Sequence, residues 1–282
     1  MWLRKLSAFI LFSSIFIALC AVALCIETNI LLGVPLNNFS FYCFVFGATL
    51  VQYNLHYLLK KAAVPNSERL RWSQKNRTIH VIFLFAGILL ILFSFFSFHL
   101  EHFVILAFLG CISVLYSFPF LPFGKRRRIK DYGFLKIITL ALLWTLVTVW
   151  FPVNGLETDR GLFTLVFAKR FVFMLVLCLL FDIRDIAIDS KEHINTLAVV
   201  LGKKKSYLLS YLLLLVFVLL ALIQYFYLPQ MNSLIAILIS AIATGITIEL
   251  TKKNNSDFIY LAGIDGMMFL QALLVYLFSL KQ

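Results

Sequence analysis

Acidic residues are scarce in this chain: 13 Asp and Glu in 282 residues, against 25 Lys and Arg, with charged side chains of either sign making up only 13%. Soluble globular domains carry about twice that charged share, so a water-soluble domain is excluded. Cysteine is sparse too. Cys20, Cys25, Cys43, Cys111 and Cys178 all fall inside apolar runs with no C-x-x-C spacing, which excludes a disulfide framework or a thiolate metal site and leaves packing roles. Nor is there a phosphate-cradling glycine loop, an H-E-x-x-H or a G-x-S-x-G, so the nucleotide-binding, zinc-protease and serine-hydrolase patterns are missing. Polar stretches long enough for a second folded unit are also lacking. The longest loops, about 60–78 and 183–205, could not bury a core of their own, and residues 1–282 read as a single domain.

What remains is apolar. Hydrophobic residues make up 62% of the chain and aromatics 16%, and the mean hydropathy is +0.96. That is more apolar surface than one core can bury, which identifies an integral membrane protein. Runs of the roughly 20 residues needed to cross a bilayer lie near 7–25, 37–59, 79–98, 102–122, 134–152, 163–182, 206–228, 232–250 and 257–279. They are continuous and do not alternate, as barrel strands would. Because lipid cannot satisfy backbone groups, the fold class is an all-α bundle of nine transmembrane helices.

The net charge of +12 does not point to nucleic acid, because the cations form no continuous face or tail. They occupy alternate loops: Arg4 and Lys5; Lys60, Lys61, Arg69, Arg71, Lys75 and Arg77; Lys125 to Arg128 with Lys130; Arg184, Lys191 and Lys203 to Lys205; Lys252 and Lys253. The intervening loops hold Glu27, Glu101, Glu157 and Asp159, with Arg160 as nearly their only cation. The positive-inside rule then places the N-terminus in the cytoplasm and the C-terminus outside, in an inner or cytoplasmic membrane. The first run is too long for a signal-peptide core and is read as retained.

Four of the 13 acids lie between Asp182 and Glu192. Asp182, Asp185 and Asp189 stand at i, i+3 and i+7 of a helix, one face about a turn apart, at the cytoplasmic end of the sixth run. Three carboxylates so close need a positive partner. Two remain open: neighbouring Arg184, Lys191 and loop lysines, or a hard divalent cation such as Mg2+, which combines one or two carboxylates with substrate phosphates.

Asp182-x-x-Asp185-x-x-x-Asp189, followed by Thr196-Leu197 and Leu201-Gly202, resembles the second aspartate-rich motif of the UbiA superfamily of intramembrane prenyltransferases, with His193 where glycine is usual. The span count extends the likeness over nearly the whole chain. The resemblance implies a helical bundle that binds a polyprenyl diphosphate through Mg2+, with Asp182, Asp185 and Asp189 as catalytic and metal ligands, and transfers the isoprenoid to an aromatic or other cyclic acceptor. The family's first motif, N-x-x-x-D-x-x-x-D, keeps only its asparagine, Asn54; Leu58 and Ala62 occupy the aspartate positions, and no carboxylate occurs between Glu27 and Glu68. Three readings follow. Lys60 or Lys61 substitutes an ammonium for the missing Mg2+; the fold binds isoprenoid lipid without turnover; or the substrate is a different phosphorylated lipid. Tyr116 and Lys125 resemble the family's tyrosine and lysine after the fourth span, and Lys136 stands where the family often shows a basic residue. With Asn54, Lys60 and Arg184, these are the expected diphosphate-binding residues. His56 reads as a structural hydrogen-bonder. Lys169 and Arg170, about 18 Å along the helix from Asp182, are expected to snorkel to the outer surface. Asp265, inside the ninth run, is a functional candidate without a nameable partner.

Overall fold

The computed structural model describes residues 2–59, 67–98, 100–117 and 132–280. Every regular element among these residues is helical: α1 (Trp2–Phe12), α2 (Ile15–Leu32), α3 (Phe39–Leu59), α4 (Glu68–Lys75), α5 (Arg77–Phe95), α6 (Leu100–Ser117), α7 (Gly133–Thr145), α8 (Arg160–Lys191), α9 (Leu197–Tyr227), α10 (Met231–Lys253) and α11 (Asp265–Ser279). α7 continues through a π-turn (Leu146–Trp150), and a second π-turn (Ile259–Ile264) leads into α11. Among the described residues, six helical stretches are long and apolar enough to cross a membrane: Ile15–Leu32, Arg77–Phe95, Gly133–Val153, Leu197–Tyr227, Met231–Lys253 and Ile259–Ser279. The other three runs read from the sequence are helical as well over most of their described residues, in α3, α6 and α8, with 118–122 of the fourth run outside the described residues; α8 carries the charges that lower its hydropathy. The first run is displaced, since α2 ends at Leu32 and not near residue 25.

The core runs through the middle of the bundle, where Leu24, Phe173, Leu177, Leu179, Phe217, Tyr260 and Ile264 are at most 2% exposed. α3 packs along α5, α8 along α9, and α11 against α2 and α10. Outward faces keep Leu89, Phe93, Leu208, Leu215, Ile242 and Ile246 exposed, the rows of aliphatic and aromatic residues that lipid would cover.

The interior corrects two sequence expectations. Glu27 is no loop residue but a fully buried member of α2, and Lys169 and Arg170, expected to snorkel, are each only 2% exposed. Arg170 lies 2.9 Å from Glu27, Gln271 donates to Glu27 at 2.8 Å, Arg170 donates to the Thr148 hydroxyl at 3.1 Å, and Lys169 donates to Gln224. Burying a charge is tolerated when it is paired and hydrogen-bonded. This network therefore replaces lipid-facing snorkelling with a lock joining α2, the first π-turn, α8, α9 and α11.

Candidate functional site

The long helix α8 begins at a cap: the Asp159 carboxylate accepts from the Leu162 N–H at 2.7 Å and from the Tyr227 hydroxyl at 2.7 Å. Those donors, the backbone one first, hold Asp159 below its ordinary carboxylate range. About six to eight turns on, the helix delivers its three aspartates. Asp182 and Asp189, seven residues apart, point the same way and are 4% and 5% exposed. A single nitrogen lies between them: Lys136 Nζ, 2.9 Å from Asp182 Oδ1 and 3.0 Å from Asp189 Oδ2. The second oxygen of Asp182 is buried without a hydrogen-bond partner. Tyr116, near the end of α6, lies within the electrostatic field of Lys136, Asp182 and Asp189.

Lys136 arrives there because α7 starts hard against the turn that follows α8. A Cβ placed on Gly133 would lie 1.8 Å from the Asn195 carbonyl oxygen, so only glycine permits this approach, and one turn later Lys136 meets the aspartates. The turn is fixed in its own right. Thr196, fully buried, caps α9 by accepting from the Val199 N–H at 3.3 Å. Gly202, at φ +74°, interrupts α9 in a conformation that costs other residues strain. The threonine and glycine recognised as motif letters thus shape the loop beneath the acids. His193, where glycine was usual, takes a positive φ of 56°, the backbone that glycine would adopt freely.

Asp185 faces another way. It pairs with Arg184, Nε to Oδ1 at 2.8 Å, and Arg184 reaches Asp257 at 3.6 Å while lying 5.0 Å from the ring centres of Phe181 and Tyr260. Burial alone would lower the arginine, but the carboxylates of Asp185 and Asp257 outweigh it, and the guanidinium is held above its ordinary value. The three aspartates therefore divide between two cations, and among the described residues no group of three Asp, Glu, His or Cys side chains is disposed to hold a metal ion.

Asn54 is fully buried on α3, its Oδ1 2.6 Å from His80 Nδ1 and its amide donating to the Leu50 carbonyl at 2.8 Å. His80 stacks on Tyr57, 5.7 Å between ring centres. His56 is exposed, edge-on to Tyr57. Lys60 and Lys125 lie outside the described residues, as do Lys61, Ala62 and the run Arg126 to Lys130.

Sequence reasoning missed two participants. Arg69, counted only as a loop cation, is 7% exposed, with its guanidinium 4.3 Å above the Tyr57 ring. Asp257, two residues before the second π-turn, accepts from the Ser67 hydroxyl and the Arg69 N–H, both at 2.9 Å, fastening α4 to the bundle. The capping serine, Ser67, just before a short basic helix was the available signal. Asp265 is 9% exposed and feels Arg69 and Arg184 as its nearby cations.

The helical bundle, with six stretches long and apolar enough to cross a membrane among the described residues and with Lys136 of α7 set between Asp182 and Asp189 of α8, is that of a multi-pass membrane protein. The UbiA prenyltransferase family matches over residues 71–271, and the chain is a member of that family. A UbiA homologue from Archaeoglobus fulgidus bound to GPP and Mg2+ has the same fold, with a TM-score of 0.60 at 13% identity over 95% of this chain and 99% of that one. Its DMAPP and Mg2+ complex gives 0.60 at 13% over 96% and 99%. A digeranylgeranylglyceryl phosphate synthase gives 0.57 at 16% over 99% and 100%. No curated protein matches.

Proposed function

We propose that this protein transfers an isoprenoid chain from a polyprenyl diphosphate to an aromatic or other cyclic acceptor inside an inner or cytoplasmic membrane. In this reading α3, α6 and α8 also cross the bilayer, giving nine spans with the N-terminus cytoplasmic and the C-terminus outside. The observation that carries it is the convergence of two buried carboxylates, Asp182 and Asp189, on one cation position.

That convergence bears on the metal the family uses. An ammonium already stands where two carboxylates meet, and Asp182 keeps one orphaned oxygen beside it. The donor set suits one hard cation and not two, because the α3 positions that would supply a second set of ligands include Leu58. Asp182 and Asp189 would hold one Mg2+, with Asp185 as the third candidate ligand now serving Arg184. Bound there, Mg2+ supplies charge withdrawal from a diphosphate leaving group.

The chain's own residues do the rest. Lys136 keeps the two acids from repelling each other and, once released from them, offers an ammonium to phosphate oxygens as a point charge. Arg184, aligned by Asp185, Asp257 and two aromatic rings, presents a fixed guanidinium at the same end. The apolar interior limits water around an allylic cation formed when the C–O bond breaks, and the prenyl tail stays among the helices.

The test is release of pyrophosphate from a polyprenyl diphosphate by purified protein in the presence of Mg2+ and a quinone-precursor-type acceptor. Asp182→Asn and Asp189→Asn are expected to lower it by about a hundredfold, the scale of losing electrostatic stabilisation at a leaving group, and Asp185→Asn by less. Unchanged release in both of the first two variants would remove the acids from the chemistry. The missing α3 carboxylates favour one rival, a protein that binds isoprenoid lipid without turnover. It predicts saturable lipid binding with no pyrophosphate released by any variant or by the parent.

A further inference from the structure

Arg69 is a buried cation that makes no direct ion pair among the described residues, although Asp265 lies within its electrostatic reach. Among the described residues its guanidinium makes one hydrogen bond, Nη2 to the Ser14 hydroxyl at 3.2 Å, and rests on the Tyr57 ring, while its Nε is buried with no partner there. Among the described residues no carboxylate stands within ion-pair distance of it. A guanidinium has five N–H donors, and burying one unpaired is costly, so a stable fold accepts it where something else supplies the anion. The surroundings are built to hold the group in place. Ser14 sits in the left-handed backbone region at φ 70°, a strained position for serine, and from there supplies the hydroxyl. Asp257 pins the Arg69 backbone. The Nε2 of His80, which stacks on the same tyrosine, is also buried without a partner.

Tyr57 immediately precedes Leu58, the first position on α3 at which a metal-ligating aspartate is missing. We propose that Arg69 binds the diphosphate of the isoprenoid substrate directly, so that a guanidinium on α4 supplies at this turn of α3 the positive charge that a second metal ion cannot. This rests on the reading that the protein binds polyprenyl diphosphates. It differs from that reading in needing no carboxylate and no metal on the α3 side. The planar fork of arginine matches two phosphate oxygens at once, and the ring beneath it fixes its plane.

Binding of inorganic pyrophosphate, geranyl diphosphate and geraniol to detergent-solubilised full-length protein, with Mg2+, separates the possibilities. Arg69→Gln is expected to weaken both diphosphates by about tenfold or more, the scale of a lost charged hydrogen bond, and to leave geraniol unchanged; Arg69→Lys recovers part of the loss. Equal diphosphate affinity in Arg69→Gln and parent overturns the inference, and so does equal weakening for geraniol, which would mark a general packing role. Asp265→Asn tests whether Arg69 serves only that acid: if the substitution weakens diphosphate binding as much as Arg69→Gln does, the inference is overturned, and undiminished binding supports it. Should Arg69→Gln fail to fold, the Nε–H resonance of Arg69 in 15N-arginine-labelled parent protein decides. A shift on adding pyrophosphate supports the proposal and an unmoved signal overturns it. A parent that binds neither diphosphate defeats the underlying functional reading, whereas a binding parent with an indifferent Arg69 defeats only this step.

Discussion

Replacing Lys136 with methionine isolates the electrostatics of the acidic end of α8. Methionine keeps most of the apolar stem that lysine lays along its neighbours but removes the ammonium that Asp182 and Asp189 share. Both oxygens touch that one nitrogen, so they stand no more than about 6 Å apart, where two unit charges at an effective dielectric of 20 repel by about 3 kcal/mol. In EDTA, Lys136→Met should therefore lose about 3 kcal/mol, a fall in Tm of about 6 °C or more for a chain of this size, read by tryptophan fluorescence in detergent. Millimolar Mg2+ should recover most of the loss, because a cation refills the vacated position, and should raise the Tm of Lys136→Met more than that of the parent. Adding Asp189→Asn to Lys136→Met should recover stability without metal. A Lys136→Met protein that melts with the parent in EDTA refutes the repulsion argument. One that Mg2+ fails to rescue removes the proposed metal position.

Three further outcomes follow from the packing. Glu27→Gln leaves Arg170 buried without its carboxylate and should cost about 3–5 kcal/mol, with Glu27→Gln/Arg170→Met regaining most of it, since apolar replacement of a whole buried pair is nearly neutral; denaturant or thermal unfolding of the single and double variants checks this. Gly133→Ala drives a Cβ into the Asn195 carbonyl and should destabilise well beyond the roughly 0.5 kcal/mol of an ordinary surface change, together with loss of the Mg2+ response that depends on Lys136. Thr196→Ala removes the α9 cap at about 1 kcal/mol, measurable as a modest drop in Tm with Mg2+ binding retained.

Composition and spacing were enough for much of this protein. Continuous apolar runs can only be helices in lipid, and helices occupy most of the described residues of those runs. Asp182 and Asp189 were legible as a same-face pair because seven residues make nearly two whole turns of a helix, whereas Lys136 was named only through the family resemblance, as a diphosphate-binding residue and not as the partner of these acids. The sequence misjudged residues whose environment depends on distant neighbours. Arg170 looked like an outer-surface cation because nothing near it in the chain is acidic; its partner Glu27 comes from a helix 143 residues earlier. Asp185 looked equivalent to its two companions, yet at i+3 it rotates far enough from them to meet Arg184 and Asp257.

The helical class, the family motif and the acidic face were determined by local periodicity and by the cost of exposing backbone to lipid, both of which are written into consecutive residues. Which cation neutralises which acid, and that Arg69 is left buried with no direct ion pair among the described residues, was decided by how α4, α7, α8 and the second π-turn come together, because a charge answers to whatever stands within a few ångströms, however far apart the residues lie along the chain.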